Sequence, residues 1–228
     1  MEGRDAVLDL FRAFGGAFQI VDMSETRTVS SADQVFSFND ESFKVNSTGI
    51  FYRVPVVHHI RFSDGLITLL HNVHDTYAAE QAFRGQEAIT LPIVNGTFVP
   101  GEDKFAGAAA ETVARDLLQR IASGQSPADL LDNAIRVLAP GAATQVDFAG
   151  VWLGKAESLT FFERFSAALG GGALRVDELV SMGGTVAVSV TQDAGGTSVE
   201  WIALIQVTGS GLVGRVSIYL DTPSLART

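Results

Sequence analysis

One pattern occurs twice in this chain, and no other feature narrows the possible folds as far. Residues 3–14 read GRDAVLDLFRAF and residues 154–165 read GKAESLTFFERF. Gly3 aligns with Gly154, Leu8 with Leu159, Phe11 with Phe162 and Phe14 with Phe165, a constant offset of 151. Further on, DGLITLLHNVHDT (64–76) answers SGLVGRVSIYLDT (210–222), with Asp75 meeting Asp221 at an offset of 146. The order is preserved at both ends, which marks a tandem duplication whose first copy is five residues longer between helix and last strand.

The segments between these ends predict the same architecture in each copy. Apolar residues at helical spacing open both copies, with Gly15-Gly16 and Gly170-Gly171-Gly172 expected as helix stops. In the first copy, β-rich runs follow at about 19–30, 34–45, 50–62 and 66–75, separated by turn residues. In the second they fall at about 175–182, 185–193, 197–208 and 212–221. A helix laid on a four-stranded antiparallel meander is an α+β unit. Residues 76–86 predict a short closing helix. Residues 107–124 predict an amphipathic one carrying Val113, Leu117, Leu118 and Ile121. Ser126-Pro127 reads as the start of a further helix to about Leu138. The expected division is therefore 1–90, a linker over 91–106, and 107–228. The first copy lacks the leading helices and strand of the second. Its sheet should be covered by the 107–138 helices, a second chain or the 76–86 helix, or Met1 is an internal start of a longer protein.

Charge and composition exclude several classes. Sixteen basic against 26 acidic residues give a net charge of −10, unsuited to nucleic acid or anionic membrane surfaces. The absence of cysteine removes disulfides, thiol nucleophiles and cysteine-ligated metals. No apolar run reaches the length of a membrane span, and MEGRDAVLDLF lacks the basic-then-apolar order of a signal peptide. A cytoplasmic protein is expected.

Strand geometry sorts the four histidines, all in the first copy. On 50–62, Tyr52, Val54, Val56, His58 and Ile60 share one face. A three-residue turn at 63–65 sets Phe62 opposite Leu66 and His58 opposite Leu70. Leu66, Thr68, Leu70, Asn72 and His74 then join His58, while His59, His71 and Asp75 point the other way. The matching face of the second copy (Leu212, Gly214, Val216, Ile218, Leu220) is wholly apolar, which identifies it as the inner face.

The motifs QVDFAGVWLGKAESLTFFERF (145–165), GRDAVLDLFRAF, GLITLLHNVHDT and GLVGRVSIYLDT together resemble the NTF2-like superfamily, in particular SnoaL-like polyketide cyclases and ketosteroid isomerases. The resemblance implies two cystatin-like units, each a curved sheet packed on helices around a cone-shaped pocket. It also implies dimers through the outer sheet face. It implies a small, mostly apolar carbonyl ligand and proton-transfer chemistry without cofactor or metal. SnoaL-like cyclases carry a histidine seven residues before the hairpin glycine and an acid/base aspartate seven after. Counted from Gly65 these positions hold His58 and Asn72, so the histidine matches and the aspartate does not. Either Asn72 has made the site a binding one, or His74 on the same face takes the proton role. By analogy with the isomerases, Asp147 is a second candidate base, its plainer reading being an exposed strand-end residue. Tyr52, Trp152 and Trp201 are candidate pocket walls. The plainer reading of either histidine is a buried side chain bonded to a neighbour, and two inner histidines fall short of a zinc ligand set. The competing function is a non-catalytic ligand-binding or assembly module.

Overall fold

The computed structural model describes residues 3–87, 107–141, 146–194 and 196–225. Helix α1 (Arg4–Ala17) leads into four strands, β1 (Phe18–Ser30), β2 (Gln34–Val45), β3 (Phe51–Ser63) and β4 (Leu66–His74), paired in chain order into one antiparallel sheet. Helix α2 (Tyr77–Phe83) closes this unit. Helix α3 (Gly107–Ser123), strand β5 (Leu131–Ala139), strand β6 (Gly150–Leu153) and helix α4 (Gly154–Ala168) open the second. The meander β7 (Leu174–Met182), β8 (Thr185–Ala194), β9 (Thr197–Val207) and β10 (Val213–Leu220) follows, then a single turn, α5 (Thr222–Leu225). The second sheet runs β6-β5-β10-β9-β8-β7, with β5 parallel to β10. The class is α+β, with two curved sheets, antiparallel except for the β5–β10 pair. The expected linker, 91–106, lies outside the described residues.

All eight meander strands form where alternation and turn residues place them. The segment after Pro127 does not follow its expectation. It makes a 3-10 turn over Ala128–Leu130 and then a strand, not a helix. Ile135, Val137 and Ala139 are fully buried while Arg136 is exposed, a period of two. Pairing with both β6 and β10 outweighs the local start signal. Gly15 and Gly16 likewise continue α1 by one turn rather than ending it; in α4 the stop is as expected, with Gly170 and Gly171 at φ +68° and +63°.

The β3–β4 hairpin is where register matters most. Asp64 and Gly65 both take positive φ (52° and 74°), so the turn has two residues, not three. Ser63 pairs with Leu66 and Phe62 with Ile67. Alone, that turn would send the histidines to opposite faces, because one residue of slip inverts every side chain. A bulge beyond Phe62 restores the parity, so that Ile60 pairs with Leu70, His58 with Asn72 and His59 with His71.

Each sheet therefore has an inner face against helices and an outer face, and the two outer faces pack on one another. Val29, Phe36, Phe38, Val57 and Val73 meet Val180, Ala187, Ile202, Leu204 and Tyr219 in one buried cluster. Arg61 pairs with Glu178 and Arg27 donates to Thr185 Oγ1 (2.7 Å) across the same boundary. The outer faces through which a dimer was expected are thus buried inside a single chain. The inner face of the second sheet carries the main core, where Phe161 and Phe165 of α4, Leu117 and Leu118 of α3, Phe148 and Trp201 are all fully buried. Burial of each such side chain contributes about 1.5–3 kcal/mol.

Candidate functional site

The inner face of the first sheet is covered at one end only. Ala78, Ala79 and Ala82 of α2 lie with Phe43, Val45, Tyr52, Val54 and Val56. Of the expected covers, the 76–86 segment lies on it. α3, which was one of the others, packs on the second sheet. Towards the β3–β4 turn, beyond the reach of α2, His58, Ile60, Phe62 and Leu70 stay half-buried and Asn72 exposed.

Polar side chains gather at the boundary between these two regions. His58 Nε2 lies 2.6 Å from Glu41 Oε1, and its Nδ1 lies 2.7 Å from Asn72 Oδ1. Glu41 is buried and the His58 side chain is 21% exposed. Glu41 pairs in register with Val54 and Ser37 with His58, so Glu41 and His58 lean towards each other along the face, past Asn39. Asn39 is itself buried and bonded to Ser37. The bond to Glu41 leads in raising the His58 pKa above its ordinary value; the Asn72 bond adds to it and partial burial opposes it. Tyr52 lies under the cluster, buried and stacked on Phe43 (5.3 Å), its phenol pushed well up by burial and by the charge of Glu41.

His74 is the other inner-facing histidine, opposite Val56. Desolvation pushes its pKa below the ordinary value against the pull of Asp221 and Glu41, and the positive charge of His58 adds to the lowering. Its Nδ1 is buried without a hydrogen-bond partner. The two imidazoles on one hairpin face are therefore biased to opposite protonation states.

A groove of about 360 Å³ runs along the outer edge of β4, which is an edge strand. Asn72, His74 and Thr76 line one side; Ser198, Glu200 and Asp221 line the other. Asp221 Oδ1 accepts from the Thr76 amide (3.0 Å) and hydroxyl (2.7 Å), pinning the strand end to the second unit. Asp75 does the same in reverse, accepting from Thr222 Oγ1 at 2.9 Å. These paired aspartates are the repeat's Asp75 and Asp221, each binding the threonine after the other.

The remaining sequence candidates lie elsewhere. Asp147 sits in the turn before β6 with its side chain 71% exposed and Arg164 3.7 Å away, not on a strand facing a cavity. Arg164 also donates to its backbone carbonyl, which holds it at the surface. Trp152 is half-buried beneath the Arg164 guanidinium, its indole N–H donating to the Phe148 carbonyl. Trp201 is fully buried, edge-on to Phe165 in the second unit's core. Only Tyr52, Asn72, His58 and His74 share a neighbourhood. Sequence reading missed Glu41 and Asn39, although period-two counting back from Val45 puts both on the Tyr52 face. Among the described residues no group of three histidines or carboxylates is placed to hold a metal ion, and no helix is long and apolar enough to cross a membrane.

No protein-family model and no curated protein matches the chain. Over about half its length it is similar in fold to solved NTF2-like structures. An NTF2-like protein from Burkholderia xenovorans LB400 is 19% identical, covering 54% of this chain and 97% of its own, at a TM-score of 0.43. A candidate SnoaL-like polyketide cyclase from Jannaschia Sp. CCS1 is 12% identical over 52% of this chain and 90% of its own (TM-score 0.42). A steroid delta-isomerase from Pseudomonas aeruginosa is 13% identical over 57% and 88% (TM-score 0.41). The likeness is one of architecture and assigns no residue of the site.

Proposed function

We propose that the chain is a tandem pair of NTF2-like units, 1–90 and 107–228, working in the cytoplasm. In this reading the first unit binds a small carbonyl compound beside β4 and moves a proton on it without a cofactor. The observation that carries it is the pair of inner-face histidines, His58 bonded to the buried Glu41 and His74 with a buried, unpartnered Nδ1, settings that bias their protonation in opposite directions. Titratable groups whose environments push their pKa values apart are suited to acid and base roles in one reaction. His58, backed by the buried Glu41 carboxylate, is the acid. It offers Nδ1–H to a ligand oxygen once the exposed Asn72 amide swings aside. His74, held neutral, is the base. Diagonal neighbours of this kind stand about 7–8 Å apart, enough for a carbonyl carbon and its α-carbon to lie between.

The step balances within the site. His74 takes the α-proton, the C–H pair becomes the enol double bond, and His58 gives its Nδ1 proton to the carbonyl oxygen. His74 then gives its proton to the γ-carbon while the enol O–H proton returns to His58 Nδ1 and the C=O bond re-forms, which completes an isomerisation and restores both histidines. Ile60, Phe62 and Leu70 supply apolar surface for the rest of the ligand, and Asn72 and Thr76 supply hydrogen bonds. The second unit's inner face, filled by Phe161, Phe165 and Trp201, has no such pair, which favours a structural role for that copy.

Isomerisation of 3-cyclohexen-1-one to the conjugated enone, followed by ultraviolet absorbance, tests the reading. The wild type should outpace an equal concentration of free imidazole, and His58→Gln and His74→Gln should each lose about 10²–10⁴-fold. The rate should be highest between the lowered His74 pKa and the raised His58 pKa. Rates equal to free imidazole, or unchanged in both variants, overturn it.

A further inference from the structure

Helix α1 is apolar along one side and buries none of its residues. Val7, Leu10, Phe11 and Phe14 fall on one stripe at helical spacing, and the charged Asp5, Asp9 and Arg12 occupy the opposite side. Of the stripe only Phe14 reaches the body, touching Phe18 (4.9 Å) and Phe43 (5.7 Å). Leu8, Leu10 and Phe11 are 39%, 47% and 53% exposed. A helix of fourteen residues is marginal in water on its own. Gly15 and Gly16 within it cost about 1 kcal/mol each relative to alanine. The sequence has therefore spent an amphipathic pattern on a helix that its own chain, among the described residues, does not cover.

The exposed stripe does not end with the helix. Ile20 and Met23 of β1 project to the same inner face and are about half exposed, as is Phe83, which stacks edge-on against Phe18 at 5.1 Å. These side chains leave on the order of 500 Å² of apolar surface open, so two such faces together hide about 1,000 Å², the threshold of a specific interface.

We infer that this face is closed by a second copy of the chain, the two α1 helices and β1 edges meeting across a two-fold axis. A copy is the occupant that the page favours for two reasons. The α1 stripe carries no charge, so two molecules of net charge −10 meet there on apolar side chains, with Asp22 and Glu25 of β1 at its margin. The N-terminal half of β1 is also an open sheet edge, its partner lying on one side only. An antiparallel two-fold brings an identical edge and an identical stripe together, each satisfying the other. This interface is separate from the outer sheet faces, which the chain buries internally.

Sedimentation equilibrium of the full chain tests it. The wild type should show twice the monomer mass, and dilution should lower the mass and the far-ultraviolet helix signal together. Phe11→Glu should halve the mass. Because that variant could fail to fold, a second arm uses the absence of native cysteine. Leu10→Cys should form a covalent dimer on mild oxidation, and Ser210→Cys, on an exposed hairpin far along the chain, should not. A wild type that stays monomeric at every concentration overturns the inference. So does a dimer untouched by Phe11→Glu, or equal crosslinking of the two cysteine variants.

Discussion

Acid should loosen the two sheets from each other, and His59 is the reason. Its ring is 1% exposed in the outer-face interface, stacked on Phe36 at 4.1 Å with the planes 5° apart. In the neutral form Nε2–H donates to Gln34 Oε1 at 3.0 Å. Burial leads in pushing its pKa down to about 4, with the positive charges of Arg61 beside it and His71 opposite adding to the effect. Glu178 faces the same region but is held by Arg61, and Glu200 lies 3.4 Å from His71. In the unfolded chain the ring titrates near its ordinary value of 6.5. Between these values the unfolded state binds the extra proton, so stability falls as pH drops through the window. The full loss is about 3 kcal/mol, of which about 2 kcal/mol is gone by pH 5. His58 and Asp75, with raised pKa values, contribute the opposite sign, and His74 the same sign. The assay must therefore isolate His59. Urea unfolding of wild type and His59→Phe at pH 7.5, 6.5, 5.5 and 4.5 does so, because phenylalanine keeps the stack and removes the titration. The difference between the two proteins should move by about 2–3 kcal/mol towards the variant as pH falls. Parallel pH profiles would refute the argument.

Three further outcomes follow from the same contacts. Glu41→Gln should lower the His58 pKa in an imidazole NMR titration, since the bond to that carboxylate leads among its causes, and should leave the His59 resonance in place. Phe38→Ala, which empties a fully buried site against Tyr219 between the sheets, should cost about 3–5 kcal/mol in thermal or urea unfolding. Asp147→Asn, at an exposed turn, should change stability by no more than about 0.5 kcal/mol.

The meander strands were legible because each carries its own period-two pattern and ends in turn residues. Strand β5 was not, since Leu131 to Ala139 follows a helix-start signal and becomes a strand only through two neighbours distant in sequence. The face of each histidine was legible even though the register was not. The assumed three-residue turn and the actual two-residue turn plus bulge differ by an even number of positions, and parity alone decides the face. Glu41 was hidden for a different reason. Its contact with His58 crosses from β2 to β3 at a pair four residues out of register, a distance that pairing rules do not bridge. That Asp147 lies in a turn and not at a strand end was equally unreadable, because it depends on where β5 ends and the following turn begins.

The openness of the site follows from which helices lie across each inner face. In the second unit α3 and α4 lie across the inner face, and the space a ligand would take is occupied by Phe161, Phe165 and Leu117 against Trp201. Its strands accordingly show Ile218 and Leu220 where the first unit has Asn72 and His74. Among the described residues, the first unit has the seven residues of α2 and Phe14 of α1 over the same face. Its far end stays reachable, and there Glu41, His58 and Asn72 are held by hydrogen bonds to one another, with His74 beside them, rather than by a packed core. The second sheet contributes from behind. By burying the outer face of β3 and β4 against Ile202, Leu204 and Tyr219, it fixes the hairpin whose inner side carries both histidines. One copy's inner face is filled by its own helices, and the other stays open at one end while its outer face is packed on its partner.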